Sequence, residues 1–260
     1  MNAVLQVWAL ALGVLLLFGV AGWIVSLIRR DVSIVDGMWP LMFLIAALVY
    51  ASSADLLSAR SAIVLALVSI WSLRLSAYIF WRNHGEDEDY RYQQIRENNS
   101  PHFAIKSLYI VFGLQAVLAA FISLPLLPAI VSSREIGLLD IAGITLWLIG
   151  FFFESVGDWQ LARFRSKAGS QGKVLDTGLW RYTRHPNYFG DFCVWWGLYL
   201  IAVSAGGWWA IASPLLMSFL LLKVSGVALL ERDIGERRPK YARYKAQTNA
   251  FFPGPRKSAG

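Results

Sequence analysis

The residues best suited to chemistry lie together, where a polar segment leads into an apolar one. Residues 176–191 read Asp-Thr-Gly-Leu-Trp-Arg-Tyr-Thr-Arg-His-Pro-Asn-Tyr-Phe-Gly-Asp, and we name them the signature segment. Pro186 suits the first turn of a helix, and a helix N-terminus favours an anion. Arginine adds bidentate recognition of phosphate or carboxylate. This concentration of Arg, His, Asn and Tyr exceeds what an interfacial anchor needs, so the segment is predicted to bind a ligand.

The composition indicates side chains that mostly face something other than water. Of the 260 residues, 57% are hydrophobic and 16% are charged, whereas soluble domains carry about 25% charged residues. The net charge is +7, and the basic residues lie mainly between apolar stretches. This placement is typical of residues that orient a protein in a membrane, and it argues against nucleic-acid binding. One cysteine and three separated histidines predict no metal site. The sequence has no Rossmann-type GxGxxG pattern, so that fold is not expected to hold a cofactor.

Long apolar stretches predict an all-α bundle of about seven transmembrane helices. A helix needs about 20 predominantly apolar residues to cross the hydrocarbon core. Seven stretches approach or meet this length: residues 4–28, 34–52, 62–81, 108–131, 136–153, 189–205 and 208–230. The distribution of lysine and arginine among the loops then predicts the orientation of the bundle in the membrane. With the N-terminus outside and the C-terminus inside, the cytoplasmic segments hold 20 of the 24 Lys and Arg residues.

Five ionisable residues within or at the ends of these spans fall in the predicted cytoplasmic half. They are Asp36, Arg74, Glu154, Asp158 and Lys223. Such groups are costly in a membrane and usually face the bundle interior. One interpretation is a polar pocket that opens to the cytoplasm. The other is a set of structural ion pairs, for example Asp36 with Arg74, and Lys223 has the further option of extending towards the interface. Clustering on one side favours the pocket.

The signature segment resembles a motif of the steroid 5α-reductase and sterol reductase superfamily, and most closely its bacterial steroid 5α-reductase-like membrane proteins. Further pieces agree in order along nearly the whole chain. They are residues 33–36 with Trp39, Trp71 with residues 73–75, residues 85–92, Asp158 with Arg165, residues 231–233, Tyr241, Tyr244 and residues 252–253. The motif is less specific to the reaction, because isoprenylcysteine carboxyl methyltransferases carry a similar His-Pro-x-Tyr sequence.

This resemblance implies a single transmembrane domain that binds NADPH. Residues 1–131 would form the substrate side and residues 132–260 the cofactor-binding part. The implied cofactor contacts are Asp158, Arg165, Tyr182, Arg184, His185, Asn187, Tyr188, Asp191, Glu231 and Arg232. The basic members suit the phosphates, and Asp158, Asn187 and Asp191 suit the nicotinamide amide or a ribose hydroxyl. The protein is expected in a bacterial inner membrane, with its active site facing the cytoplasm.

The implied reaction is the reduction of a conjugated C=C bond in a steroid-like or other lipid-like small molecule. Negative charge develops on the carbonyl oxygen, so the protein must place a donor there and exclude water. The family uses a Glu and a Tyr in its N-terminal half. This chain has no Gln-Glu pair at the matching position, and Trp71 lies near the family's Tyr. Asp36, Arg74 and Tyr78 are therefore the catalytic candidates.

Two alternatives to the reductase stay open. A membrane methyltransferase of the isoprenylcysteine carboxyl methyltransferase type would use S-adenosylmethionine and need fewer phosphate-binding arginines. A transporter or scaffold would account for charges within spans but not for the signature segment. Asn187 and the loop at residues 85–92 favour the reductase. We expect the acidic run at 86–89 to be a solvated turn. Besides the substrate, membrane lipids are the expected partners, with no nucleic acid.

Overall fold

The computed structural model describes residues 3–170, 172–224 and 241–257, and within them it contains helices and no β-strand. The helices are α1 (Ala3–Arg29), α2 (Ile34–Ser52), α3 (Ala59–Asn83), α4 (Tyr90–Asn98), α5 (Phe103–Ile122), α6 (Leu126–Val131), α7 (Leu138–Arg165), α8 (Pro186–Ser204), α9 (Trp208–Val224) and α10 (Tyr241–Gln247). In this part of the chain α1, α2, α3, α5 and α7 are long and apolar enough to cross a membrane. The all-α membrane fold is thus confirmed.

Two helices differ from the predicted spans in ways that have physical causes. The fourth span is interrupted between Ile122 and Leu126, because Pro125 has no N–H to continue a helix. The hydroxyl of Ser123 instead donates to the carbonyl oxygen of Ala120, 2.9 Å away. The fifth span continues to Arg165, so Glu154 and Asp158 lie within a helix. The count of seven spans and their orientation stay predictions, and residues 225–230 of the last span lie outside the described residues.

The described residues form two compact units. Unit 1 lies within Met1–Ile136 and Ala202–Ser213, and unit 2 within Gly137–Ile201 and Pro214–Gly260. In unit 1, α2 packs against both α1 and α3, and the rings of Phe43 and Trp71 join α2 to α3 at 5.7 Å. The predicted single domain, with its division at residue 131, stays a prediction.

Unit 2 depends on a close antiparallel crossing of α7 and α8. Glycines recur every seven residues at Gly143, Gly150 and Gly157 of α7, and at Gly190 and Gly197 of α8. A Cβ atom at Gly150 would lie 2.5 Å from the carbonyl oxygen of Gly190, and one at Gly143 would lie 2.6 Å from that of Gly197. Only residues without side chains permit this approach, as is common between helices in membranes.

Replacement of Gly150 by Ala should force α7 and α8 apart. We expect Gly150→Ala to lower the free energy of unfolding by about 1–3 kcal/mol, the usual cost of overpacking. The measurement is denaturant unfolding in detergent micelles, followed by helical circular dichroism.

Gly13→Ala is the matched control, because a Cβ at Gly13 of α1 meets nothing within 4 Å. Equal stability of the two variants would contradict the proposed role of the glycine crossing.

Candidate functional site

The signature segment lies along the end of α7. It begins with a single 3₁₀ turn at Gly178–Arg181 and ends in the first turns of α8. The indole N–H of Trp180 donates to the carbonyl oxygen of Gly157 at 3.1 Å. The amide N–H of Leu179 donates to the side-chain oxygen of Gln160 at 3.0 Å. Gly178 has a φ of +62° and lies under the Gln160 amide, so a side chain at this position would be both strained and blocked.

The α7–α8 crossing brings Asp158 and Asn187 together. A Cβ at Gly157 would lie 3.2 Å from the Pro186 ring and 3.3 Å from the backbone nitrogen of Asn187, so the start of α8 lies directly against α7. The side-chain Nδ2 of Asn187 donates to a carboxylate oxygen of Asp158 at 3.2 Å. Asp158 is only 5% exposed. These are two of the predicted cofactor contacts, and the fold places them in direct contact.

Two further carboxylates extend this group. Glu154 lies one turn before Asp158 on α7 and is 2% exposed. Asp191 lies one turn after Asn187 on α8 and is half-buried. We call Glu154, Asp158, Asn187 and Asp191 the acidic seam. Its carboxylates accept hydrogen bonds, and the Asn187 carboxamide both donates and accepts them, so the seam suits a ligand that presents N–H or O–H groups. Among the described residues, no three His, Cys, Asp or Glu side chains could hold a metal ion.

Arg184 has a structural task in addition to any ligand contact. Its guanidinium donates to the carbonyl oxygens of Lys245 at 2.9 Å and Thr248 at 2.8 Å. Its backbone N–H donates to the carbonyl oxygen of Asn249 at 3.0 Å. These carbonyls lie at or just beyond the C-terminus of α10, where a cation is favourable. Arg184 therefore fastens the C-terminal segment, residues 241–254, to the signature segment.

Neighbouring residues strengthen the same attachment. The Thr183 hydroxyl donates to the carbonyl oxygen of Phe251 at 2.7 Å, and the Tyr244 hydroxyl donates to that of Trp180 at 2.5 Å. The N–H of Gly254 donates to the carbonyl oxygen of Tyr182 at 3.1 Å. Burial raises the pKa of Tyr244, because the ionised phenolate would lose its hydration.

The other predicted cofactor contacts have varied surroundings. The buried ring of His185 stacks on that of half-buried Tyr188, with centroids 5.7 Å apart. Arg165 is exposed at the end of α7, two turns beyond Asp158, and Tyr182 is exposed in the signature segment. Glu231 and Arg232 lie outside the described residues.

The catalytic candidates lie in unit 1, where Asp36 has partners other than Arg74. One Asp36 carboxylate oxygen accepts from the Arg91 guanidinium at 2.5 Å, and the other accepts from the Tyr92 hydroxyl at 2.6 Å. Burial raises the pKa of Tyr92, and the Asp36 carboxylate raises it further. The structural ion-pair interpretation thus holds for Asp36, with Arg91 in place of Arg74.

The acidic run after α3 is not a simple solvated turn. Glu88 accepts the N–H of Val32 at 2.9 Å and forms a bidentate ion pair with Arg96. Asp89 caps the N-terminus of α4 by accepting the N–H of Arg91 at 2.9 Å. Glu86 and Asp87 are the exposed members. The run therefore fastens α4 to the beginning of α2, and that attachment places Arg91 and Tyr92 against Asp36.

Arg74 and Tyr78 lie one turn apart on α3 and are both half-buried. The guanidinium carbon of Arg82 lies 5.8 Å from the centroid of the Tyr78 ring. A spacing of four residues puts Arg74 and Tyr78 on the same face of the helix, as two donors to one oxygen would need to be.

Three comparisons place the chain among known proteins. The family model DUF1295, "Protein of unknown function", matches residues 22–248. The "Uncharacterized protein C594.04c" of Schizosaccharomyces pombe is 26% identical over 266 residues, which cover 89% of this chain and 75% of the relative. The "3-oxo-5-alpha-steroid 4-dehydrogenase 1" of Bos taurus is 34% identical over 68 residues, 26% of each chain. No solved structure matches.

The raised pKa of Tyr244 predicts a loss of stability in alkali. Because the folded protein holds this proton more tightly than the unfolded chain, the stabilisation is complete below the ordinary pKa of 10.0 and declines as the pH rises above it. Tyr244→Phe should cost about 1 kcal/mol at neutral pH, through the lost hydrogen bond. It should then lose less stability than the wild type above pH 10.0.

Thermal unfolding measured across this pH range tests the expectation. Tyr109→Phe serves as control, because Tyr109 is 59% exposed and its loss should leave the wild-type profile. An unchanged alkaline decline in Tyr244→Phe would show that Tyr244 does not govern it.

Proposed function

This chain belongs to the DUF1295 family, and from that premise we propose that it is a membrane-embedded reductase that uses NADPH to reduce a conjugated C=C bond in a lipid-like substrate. The observation that carries the proposal is the contact between Asp158 and Asn187 within the acidic seam. It joins a buried carboxylate to a carboxamide at the start of a helix, inside the segment whose sequence resembles the reductases.

The partial similarity to the bovine enzyme supports an oxidoreductase. Its name describes dehydrogenation of a 3-oxo-5α-steroid at position 4. That reaction and the reduction of the conjugated double bond are one equilibrium run in opposite directions. In the reducing direction the β-carbon gains a hydride and the α-carbon gains a proton, while the nicotinamide is oxidised. A steroid-like substrate is the class that this chemistry favours.

The residues of unit 2 fit a dinucleotide with two chemically different ends. The acidic seam offers acceptors to the N–H groups of a carboxamide and to ribose hydroxyls, and carboxylates there would repel phosphate. Exposed Arg165, two turns along α7, suits the phosphates. When bound, NADPH would supply the hydride. Tyr182, His185, Tyr188, Glu231 and Arg232 stay in the proposed binding set, whereas Arg184 serves mainly to hold the C-terminal segment.

For unit 1 we assign roles to the three catalytic candidates. Arg74 and Tyr78, on one face of α3, are proposed as donors to the substrate carbonyl oxygen, where they would stabilise developing negative charge. Tyr78 would also supply a proton. Asp36 becomes a positioning residue, because its carboxylate already accepts from Arg91 and Tyr92. The excess of Lys and Arg in the loops supports a cytoplasmic orientation of the reacting groups.

A methyltransferase is the less favoured reading. The relatives reported above include no methyltransferase, and the similar His-Pro-x-Tyr sequence is the feature that keeps this class as an alternative. The binding experiment below still includes that compound, so that the alternative has a direct test.

Cofactor binding is the first measurement. NADPH should raise the thermal unfolding midpoint of the detergent-purified protein, and Asn187→Ala should weaken NADPH binding about tenfold through loss of its hydrogen bonds. Asn98→Ala is the matched control, because Asn98 is exposed on α4. Arg184 is left intact, since its loss would detach the C-terminal segment. Stabilisation by S-adenosylmethionine alone, or by none of the ligands, would refute the reductase.

Turnover tests the substrate side. NADPH oxidation should be measured with a panel of conjugated enones that includes a 3-oxo steroid. Tyr78→Phe should lower kcat about 10²-fold, the usual contribution of a positioned proton donor, while NADPH binding stays unchanged. Tyr109→Phe, an exposed tyrosine of α5, should retain full turnover. Wild-type kcat in Tyr78→Phe would exclude Tyr78 as the donor.

A further inference from the structure

A groove in unit 1 lies where α1 begins and α6 ends, and none of its lining residues belongs to the segments that hold Asp36, Arg74 and Tyr78. Its volume is about 390 Å³. Apolar side chains form most of its lining, namely Val4, Leu127, Pro128, Val131, Ala205 and Trp209. Ser132, Ser133 and Arg134 add a polar rim on one side. The groove thus combines a strip that suits hydrocarbon with a single cationic group.

The backbone beside Arg134 is held rigidly. The buried guanidinium of Arg60 donates to the carbonyl oxygens of Arg134 at 2.7 Å and Glu135 at 2.5 Å. The Ser58 hydroxyl donates to the carbonyl oxygen of Ser132 at 3.2 Å. These bonds fix the extended segment from which the Arg134 side chain projects, so its position costs little further ordering.

The Arg134 guanidinium lies across Gly206. A Cβ at Gly206 would lie only 3.0 Å from an Arg134 nitrogen, and Gly206 has a φ of +90°, so glycine at this turn leaves room for the cation. Within the described part of the chain, the Arg134 guanidinium makes no hydrogen bond or ion pair. A positioned cation without an internal partner, beside an apolar groove, has the complementary chemistry of an anionic amphiphile.

We propose that this groove binds one anionic phospholipid, with its phosphate on Arg134 and an acyl chain along Leu127, Val131 and Trp209. Guanidinium matches phosphate in geometry as well as in charge. The exposed indoles of Trp208 and Trp209 are typical of the level of lipid head groups. The site is independent of the proposed reductase activity, and none of its residues belongs to that machinery.

Native mass spectrometry of the detergent-purified protein, titrated with phosphatidylglycerol or phosphatidylcholine, tests the proposal. The wild type should retain one phosphatidylglycerol in preference to phosphatidylcholine. Arg134→Gln should weaken that binding about fivefold, the usual effect of one basic group near a membrane surface. Lys257→Gln, which removes an exposed cation of unit 2, should bind as the wild type does. Val131→Trp should also lose the lipid, because it fills the groove while keeping Arg134.

Circular dichroism should show the same helicity in all four proteins, since Arg134 and Val131 are exposed. Equal retention of both lipids by the wild type, or unchanged phosphatidylglycerol binding in Arg134→Gln, would overturn the proposal. Displacement of the lipid by inorganic phosphate would assign the groove to a free anion instead. A dimer that disappears in Arg134→Gln would assign it to a second copy of the chain.

Discussion

The close crossing of α7 and α8 is the constraint on which the candidate site depends. Because glycines meet backbone at Gly143, Gly150 and Gly190, the two helices approach more closely than side chains would allow. That approach sets Asp158 beside Asn187 and brings Gly157 under Pro186. A shift of even one side-chain diameter would separate the acceptors of the acidic seam. Apolar burial gives helices little mutual attraction in hydrocarbon. The close backbone packing of α7 and α8 therefore determines the geometry of the candidate site.

Several polar side chains donate hydrogen bonds to backbone carbonyl oxygens. Arg60 donates to two carbonyl oxygens beyond the end of α6, and Arg184 donates to two at the C-terminal end of α10. Trp8, Trp23 and Trp180 each donate an indole N–H to one carbonyl oxygen of a helix. An unpaired carbonyl costs several kcal/mol where water is absent, so a membrane protein must supply such donors itself. Basic and aromatic residues that suggest ligand binding in the sequence can therefore serve to hold the backbone, as Arg184 demonstrates.

The sequence predicted the helical membrane fold well, because a long apolar stretch leaves a backbone few options in lipid. It placed α2 to the residue, and the resemblance to reductases agrees with the family found. The partner of Asp36 was mispredicted, because Arg91 reaches it across 55 residues and no local spacing encodes that contact. The acidic run appeared solvated since its charges are only paired once α4 has docked. The seven-residue glycine repeat in α7 and α8, by contrast, was visible in the sequence and would have indicated their crossing.

The carboxylates within the described helices differ in the hydrogen-bond partners that surround them. Asp36 already accepts hydrogen bonds from the Arg91 guanidinium and the Tyr92 hydroxyl. Its removal would leave Arg91 without its nearest ion-pair partner. The acidic seam differs in composition, since Glu154, Asp158 and Asp191 stand on two crossing helices together with the carboxamide of Asn187. In both places the close approach of two segments, more than the spacing along one helix, decides which polar group a carboxylate meets, as the hydrogen bond from Asn187 to Asp158 shows.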